Sequence, residues 1–176
     1  MRQARAGLIG RLGEGTYKGL YSAVALVGIV LISIGYGQYR AAGYIPVWTP
    51  PVWTQHLNLL LMVIAFILLA AAYLPGHIKA RTKHPMLAAV KIWAFGHLLA
   101  NGDLGSILLF GSFLAWAVLA RISAKRRDPV RDHAGPVAAP AGWRNDAIAV
   151  AVGLGAYVLF AFYLHPVLIG VPVISR

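Results

Sequence analysis

Trp93, His97 and Asn101 recur every four residues within the run HPMLAAVKIWAFGHLLANGDLGSILLF at 84–110. On a helix that spacing lines one face. The run is apolar enough to lie in a bilayer, yet it carries His84, Lys91, His97, Asn101 and Asp103. Ionisable groups at membrane depth are costly and usually face a bundle interior, a cavity or a bound group. A neutral imidazole nitrogen is a good axial ligand for haem iron, and such iron is commonly housed between the helices of a bundle. His97, with Trp93 and Asn101 on its face, is therefore read as a residue for ligation or catalysis, or as a structural one. The small Gly96 and Ala100 leave room there for a partner helix or a flat ligand. The competing reading of His97 is helix glue, an interhelical hydrogen bond to Asp103, a tyrosine or a carbonyl.

Other residues extend the constellation. His97 lies four residues before its helix end, about 6 Å at 1.5 Å per residue. His56 opens the preceding span on the same side, and His165 closes the last span there, so three imidazoles from three helices can reach one level. For His56 and His165 the alternative is an ordinary interfacial histidine, which costs little. Asp103 caps the following helix, and could also orient His97 by accepting its ring N–H. His84-Pro85 reads as a helix start. Tyr157, Phe162 and Tyr163 read as packing. Cysteine is absent, which excludes disulfides, thiolate ligands and covalent c-type haem. Neither a P-loop, a dinucleotide fingerprint, a hydrolase elbow nor H-E-x-x-H occurs. With five acidic residues, a two-carboxylate mechanism has little support.

Long apolar helices must position these groups. The 176-residue chain is 59% hydrophobic and 12% charged, with a mean hydropathy of +0.69, values of the membrane class. Five stretches, 20–39, 52–74, 85–101, 104–120 and 147–167, suit spanning helices, which need about 20 apolar residues. The alternation of a β-barrel is absent, so the expected fold is an all-α polytopic membrane bundle of five transmembrane helices. Residues 1–18 are expected to lie at the surface, and 7–18 is too broken by charge and glycine for a signal peptide. Pro75-Gly76 ends the second span, Asn145 or Asp146 caps the fifth, and Ala149-x-x-x-Gly153 and Ala151-x-x-x-Gly155 favour helix packing.

The formal charge of +11 is topological and does not point to nucleic acid. Fourteen of the sixteen Lys/Arg fall in 2–18, 79–91 and 121–144, and the opposite side holds Arg40 and Arg176. The positive-inside rule then places the N-terminus in the cytoplasm and the C-terminus outside. The partner this implies is the lipid bilayer with its anionic inner leaflet. The Pro/Ala/Gly-rich 121–144 connection is expected to be a flexible cytoplasmic loop.

GLYS at 19–22, AAYLPG at 71–76, RTKHPM at 81–86, KIWAFGHLLANGDLGSILLFGSFLAWA at 91–117 and LHPVLIGVP at 164–172 resemble the NnrU family. These are bacterial membrane proteins linked with denitrification and similar to 15-cis-zeta-carotene isomerase, a haem b enzyme. The resemblance covers nearly the whole chain, making 1–176 one NnrU-type transmembrane domain. It implies haem b, with His97, in the matching W-x-x-x-H, as ligand. Where the isomerase has a cysteine after the tryptophan, this chain has Ala94. The family usually carries one further N-terminal helix, whose His-Ser motif is proposed to hold the second ligand. This chain starts after that point, so it is read either as truncated or as a five-helix protein. In a five-helix protein His56 or His165 would substitute, or the iron would stay five-coordinate. The readings that follow are a haem-binding protein of nitrogen-oxide metabolism, a haem-dependent polyene isomerase taking a hydrophobic small molecule, and a non-enzymatic membrane assembly subunit. A methyltransferase, suggested by Arg81–Pro85, is poorly served by the apolar C-terminal segment.

Overall fold

A computed structural model describes residues 2–127 and 143–173, and among the described residues all regular structure is helical. The all-α reading holds. Two compact units divide the chain, 1–45 and 46–176. The first contains α1 (Arg2–Leu12) and α2 (Glu14–Ala41). Gly13, at φ +77°, separates them, a backbone conformation that costs glycine little. No residue of α2 is buried. Tyr36 and Tyr39 meet ring to ring at its end, and the Tyr39 hydroxyl accepts the Ile45 N–H at 2.9 Å.

The second unit contains α3 (Val52–Ala71), α4 (His77–Thr82), α5 (Pro85–Ala100), α6 (Leu104–Arg127) and α7 (Arg144–Leu159), then a π-helical turn (Phe160–Leu164) and α8 (His165–Ile169). Among the described residues four helices are long and apolar enough to cross a membrane: Glu14–Ala41, Val52–Ala71, Leu104–Arg126 and Arg144–Ile169. This is the make-up of a multi-pass membrane protein. The expected third span differs. It is α5, 16 residues and about 24 Å long, short of a hydrocarbon core of about 30 Å. Arg121–Arg127, expected in the flexible loop, continue α6 instead; the rest of that loop, 128–142, lies outside the described residues.

The packing centre is α3, which contacts both α5 and α7, while α6 packs on α5. Small residues let the backbones approach. Gly96 of α5 sits against the Asn58 side chain and the Met62 methyl. Gly153 of α7 sits so close to α3 that an added Cβ would lie 2.6 Å from Ile67 Cα. Of the two small-residue stripes expected on this helix, Ala149–Gly153 is the packed one: Ala149 and Gly153 are buried, while Gly155 has nothing within 4 Å.

Local signals set the ends. Pro51 precedes α3 and Pro85 opens α5 after His84. Asp103 Oδ1 accepts the Ser106 N–H at 2.9 Å, capping α6 as expected. The Gly102 carbonyl accepts the Val47 and Trp48 N–H groups at 2.8 and 3.0 Å, which ties the segment before α3 to the α5–α6 turn. The expected caps of α7 do something else. Trp143 occupies its N-cap position without a side-chain bond. Asp146 instead accepts the His77 and Ile78 N–H groups at 3.0 and 2.9 Å and the His77 Nδ1–H at 2.7 Å. Asn145 Nδ2 donates to the Pro75 carbonyl at 2.6 Å, and Trp143 stacks on His77 at 4.4 Å. The start of α7 is thus clamped to the α3–α4 turn.

Candidate functional site

His97 is half-buried near the end of α5. Its Nδ1 lies 2.9 Å from the Trp93 carbonyl. A carbonyl only accepts, so Nδ1 carries the proton and the lone pair of the neutral ring is on Nε2. This is the tautomer and orientation that a metal-bound histidine takes when a carbonyl holds its other nitrogen. The ring stacks on Phe110 of α6 at 4.6 Å and meets Trp93 at 5.4 Å. Trp93 in turn meets Phe110 and Phe113 edge-on at 5.2 and 5.4 Å. An aromatic wall from two helices therefore fixes the ring and keeps its surroundings apolar.

The sequence-level companions of His97 are placed variously. Trp93 contributes both its carbonyl and its ring. Asn101 turns back and donates from Nδ2 to the His97 carbonyl at 2.8 Å, a bond to the backbone of the helix end. The carboxylate of Asp103 serves the α6 cap, and the partner of His97 Nδ1 is the Trp93 carbonyl. His56 is exposed on the first turn of α3. His165 is half-buried at the start of α8, where its Nδ1 donates to the Val171 carbonyl at 2.7 Å. Its lone pair too is therefore on Nε2. Phe160 meets its ring edge-on at 6.1 Å, and Phe66 of α3 meets Phe160 at 5.7 Å.

Two features escaped sequence reasoning. Asn58 Oδ1 is buried beside Gly96 with no hydrogen-bond partner among the described residues. The signal was a lone amide in the apolar run LNLLLMVIAFILL at 57–69. The other is the His77–Asp146 pair, which joins residues 69 positions apart.

The NnrU family model, described as NnrU protein, matches residues 1–173. The chain belongs to the NnrU family. No curated protein and no solved structure matches it. For an NnrU chain the donor set has a clear limit: among the described residues no three His, Cys, Asp or Glu gather as a metal-ion cluster. Haem iron takes four ligands from its porphyrin and needs only one or two from the protein. The imidazole of His97, set among flat aromatic rings, fits that group.

Proposed function

We propose that this NnrU-type membrane protein binds haem b through His97 and serves the denitrification-linked nitrogen-oxide metabolism to which its family resemblance points. The observation that carries the reading is the His97 Nδ1–H bond to the Trp93 carbonyl, which leaves Nε2 as the ligating nitrogen. Trp93, Phe110 and Phe113 supply the apolar surround that keeps water from the ring. When bound, haem supplies a redox-active iron; the chain holds it, orients the imidazole and lowers the local polarity. The skew of Lys/Arg towards 2–18, 79–91 and 121–144 supports an inner-membrane protein with a cytoplasmic N-terminus and a periplasmic C-terminus.

The test is an absorption spectrum of detergent-purified protein, expressed with ample haem, oxidised and dithionite-reduced, beside His97→Ala. A Soret band that moves on reduction and is missing from folded His97→Ala is the expected result. A wild type without a Soret band overturns the reading and leaves His97 as a packing residue.

A further inference from the structure

We infer that residues 46–51 form a strap that closes the end of the bundle beside His97, and that Gly102 is the seat on which the strap locks. The inference concerns access to the candidate site and does not depend on which group occupies it.

The strap is held at both ends. At one, Pro46 pairs with Asp103 as an isolated antiparallel bridge, and the Gly102 carbonyl accepts the Val47 and Trp48 N–H groups at 2.8 and 3.0 Å. At the other, the Pro51 carbonyl accepts the Thr54 N–H at 3.0 Å and the Thr54 hydroxyl at 2.6 Å. The segment thus runs from the α5–α6 turn to the first turn of α3. Pro46, Pro50 and Pro51 make up half of it. Proline fixes φ, so the strap has few conformations to give up when it seats.

Gly102 is a glycine for space and not for conformation. A glycine just past a helix end ordinarily takes the left-handed conformation of a C-cap. Here Asn101 is extended, at φ −124° and ψ 129°, and among the described residues the glycines with positive φ are Gly13, Gly43 and Gly170. What position 102 requires is a missing side chain. A Cβ there would overlap the Trp48 carbonyl oxygen, and would lie 2.8 Å from Pro50 Cδ and 2.9 Å from the Trp48 carbonyl carbon. The backbone of the strap therefore rests directly on the glycine.

The space beneath the strap is dry. The first turn of a helix carries N–H groups without partners inside the helix, and water commonly supplies them. Yet Thr54, in the first turn of α3, is 2% exposed, and Ser106, in the first turn of α6, is 0% exposed. Ser106 lies four residues before Phe110, on the same face of α6 and about 6 Å nearer the turn. Phe110 is the ring that stacks on His97. The path along α5 is as short. Asn101 donates its backbone N–H and its Nδ2–H to the His97 carbonyl at 2.9 and 2.8 Å, and Gly102 follows it. Strap, Ser106 and the His97 ring thus succeed one another along the bundle axis, and Trp93 closes the far side. Lifting the strap opens the way for water and small polar solutes to reach the ring from this end.

The test uses the absence of cysteine from this chain. Ser106→Cys is nearly isosteric and gives the full-length protein a single thiol under the strap. Ala117→Cys, equally buried and eleven residues further along α6, gives one far from it. Each is labelled in detergent with a charged methanethiosulfonate, and the rate is read by mass spectrometry. Ser106→Cys should react slowly, and far faster once dodecyl sulfate unfolds it. Adding Gly102→Ala should speed its labelling by roughly 5- to 150-fold, the shift that overpacking gives an opening equilibrium, and should leave Ala117→Cys unchanged. Val47→Pro removes one strap donor without crowding the seat. It should speed Ser106→Cys by about 2- to 13-fold, and it decides the matter if Gly102→Ala does not fold. Equal acceleration of both thiols would mean that Gly102 supports the whole bundle, and overturns the strap as a local closure. Labelling of Ser106→Cys that is fast from the start, or unmoved by either variant, overturns it as well.

Discussion

Gly153→Ala tests the α3–α7 contact on which the position of His165 depends. The added methyl carbon would lie 2.6 Å from Ile67 Cα, 2.8 Å from Ile67 N and 3.0 Å from Phe66 O. All three are backbone atoms, so no rotamer change relieves the contact. Carbon pairs settle at about 3.5–4.0 Å, which requires the helices to part by on the order of 1 Å. A gap of that size forfeits a quarter to a half of the neighbouring dispersion contacts, and overpacking of this kind costs about 1–3 kcal/mol. Alanine also gains about 1 kcal/mol over glycine in a helix interior, which would mask part of the loss. Gly155→Ala removes that ambiguity: it is on the same helix with nothing within 4 Å, so it carries the propensity gain alone. The difference between the two variants is the steric cost, about 1–3 kcal/mol, or roughly 5- to 150-fold in the folding equilibrium. Unfolding by a dodecyl sulfate titration in mixed micelles, followed by circular dichroism, measures it. Equal stability of Gly153→Ala and Gly155→Ala would refute the close approach of α7 to α3.

Three further perturbations probe other parts of the bundle. Asp103→Ala removes the side-chain cap of α6 and should cost about 0.5–2 kcal/mol, with Asp103→Ser much milder; thermal melts in detergent read both. Asn58→Leu replaces a buried amide whose oxygen has no partner among the described residues by an apolar side chain of similar shape. Because an unsatisfied buried group costs about 1–3 kcal/mol, the haem-free variant should melt higher than wild type, and a lower melting temperature would show that the amide is paired. Asp146→Ala loses three hydrogen bonds to His77 and Ile78 and should speed tryptic cleavage after Arg144, whereas His77→Phe, which keeps the stack on Trp143, should do so less.

The spans were legible because their signals are local: apolar runs closed by Pro75-Gly76, Asn101-Gly102 or a basic cluster. The Asp103 cap and the place of His97 near a helix end followed from spacing alone. Where α6 stops was less legible, since Arg121–Arg127 read as loop by charge although Arg, Lys and Ala are good helix formers. Asp146 was misread because a carboxylate at a helix start is ordinarily that helix's own cap. Its partners lie nearly seventy residues away, a distance at which sequence pattern is silent. The tautomers of His97 and His165 depend on which carbonyl each ring meets, and the π turn has no signature in FAFYL. Trp93 was named beside His97 from spacing, whereas the Phe110 ring and the Val171 carbonyl that hold His97 and His165 were not.

The π turn also makes one short stretch unusually forgiving of length changes. Deleting a residue from an α-helix normally turns everything beyond it by about 100°. Between Phe160 and Leu164 the chain already holds one residue more than an α-helical path needs. Losing the exposed Phe162 would let the turn close as ordinary α-helix, with His165 eleven residues from Gly153 and still inward. The same deletion a turn earlier in α7, ahead of the contact with Phe66, would pull the aromatic packing out of phase. A lineage could shed this residue without moving the histidine, so homologous chains of different length here can keep the same site.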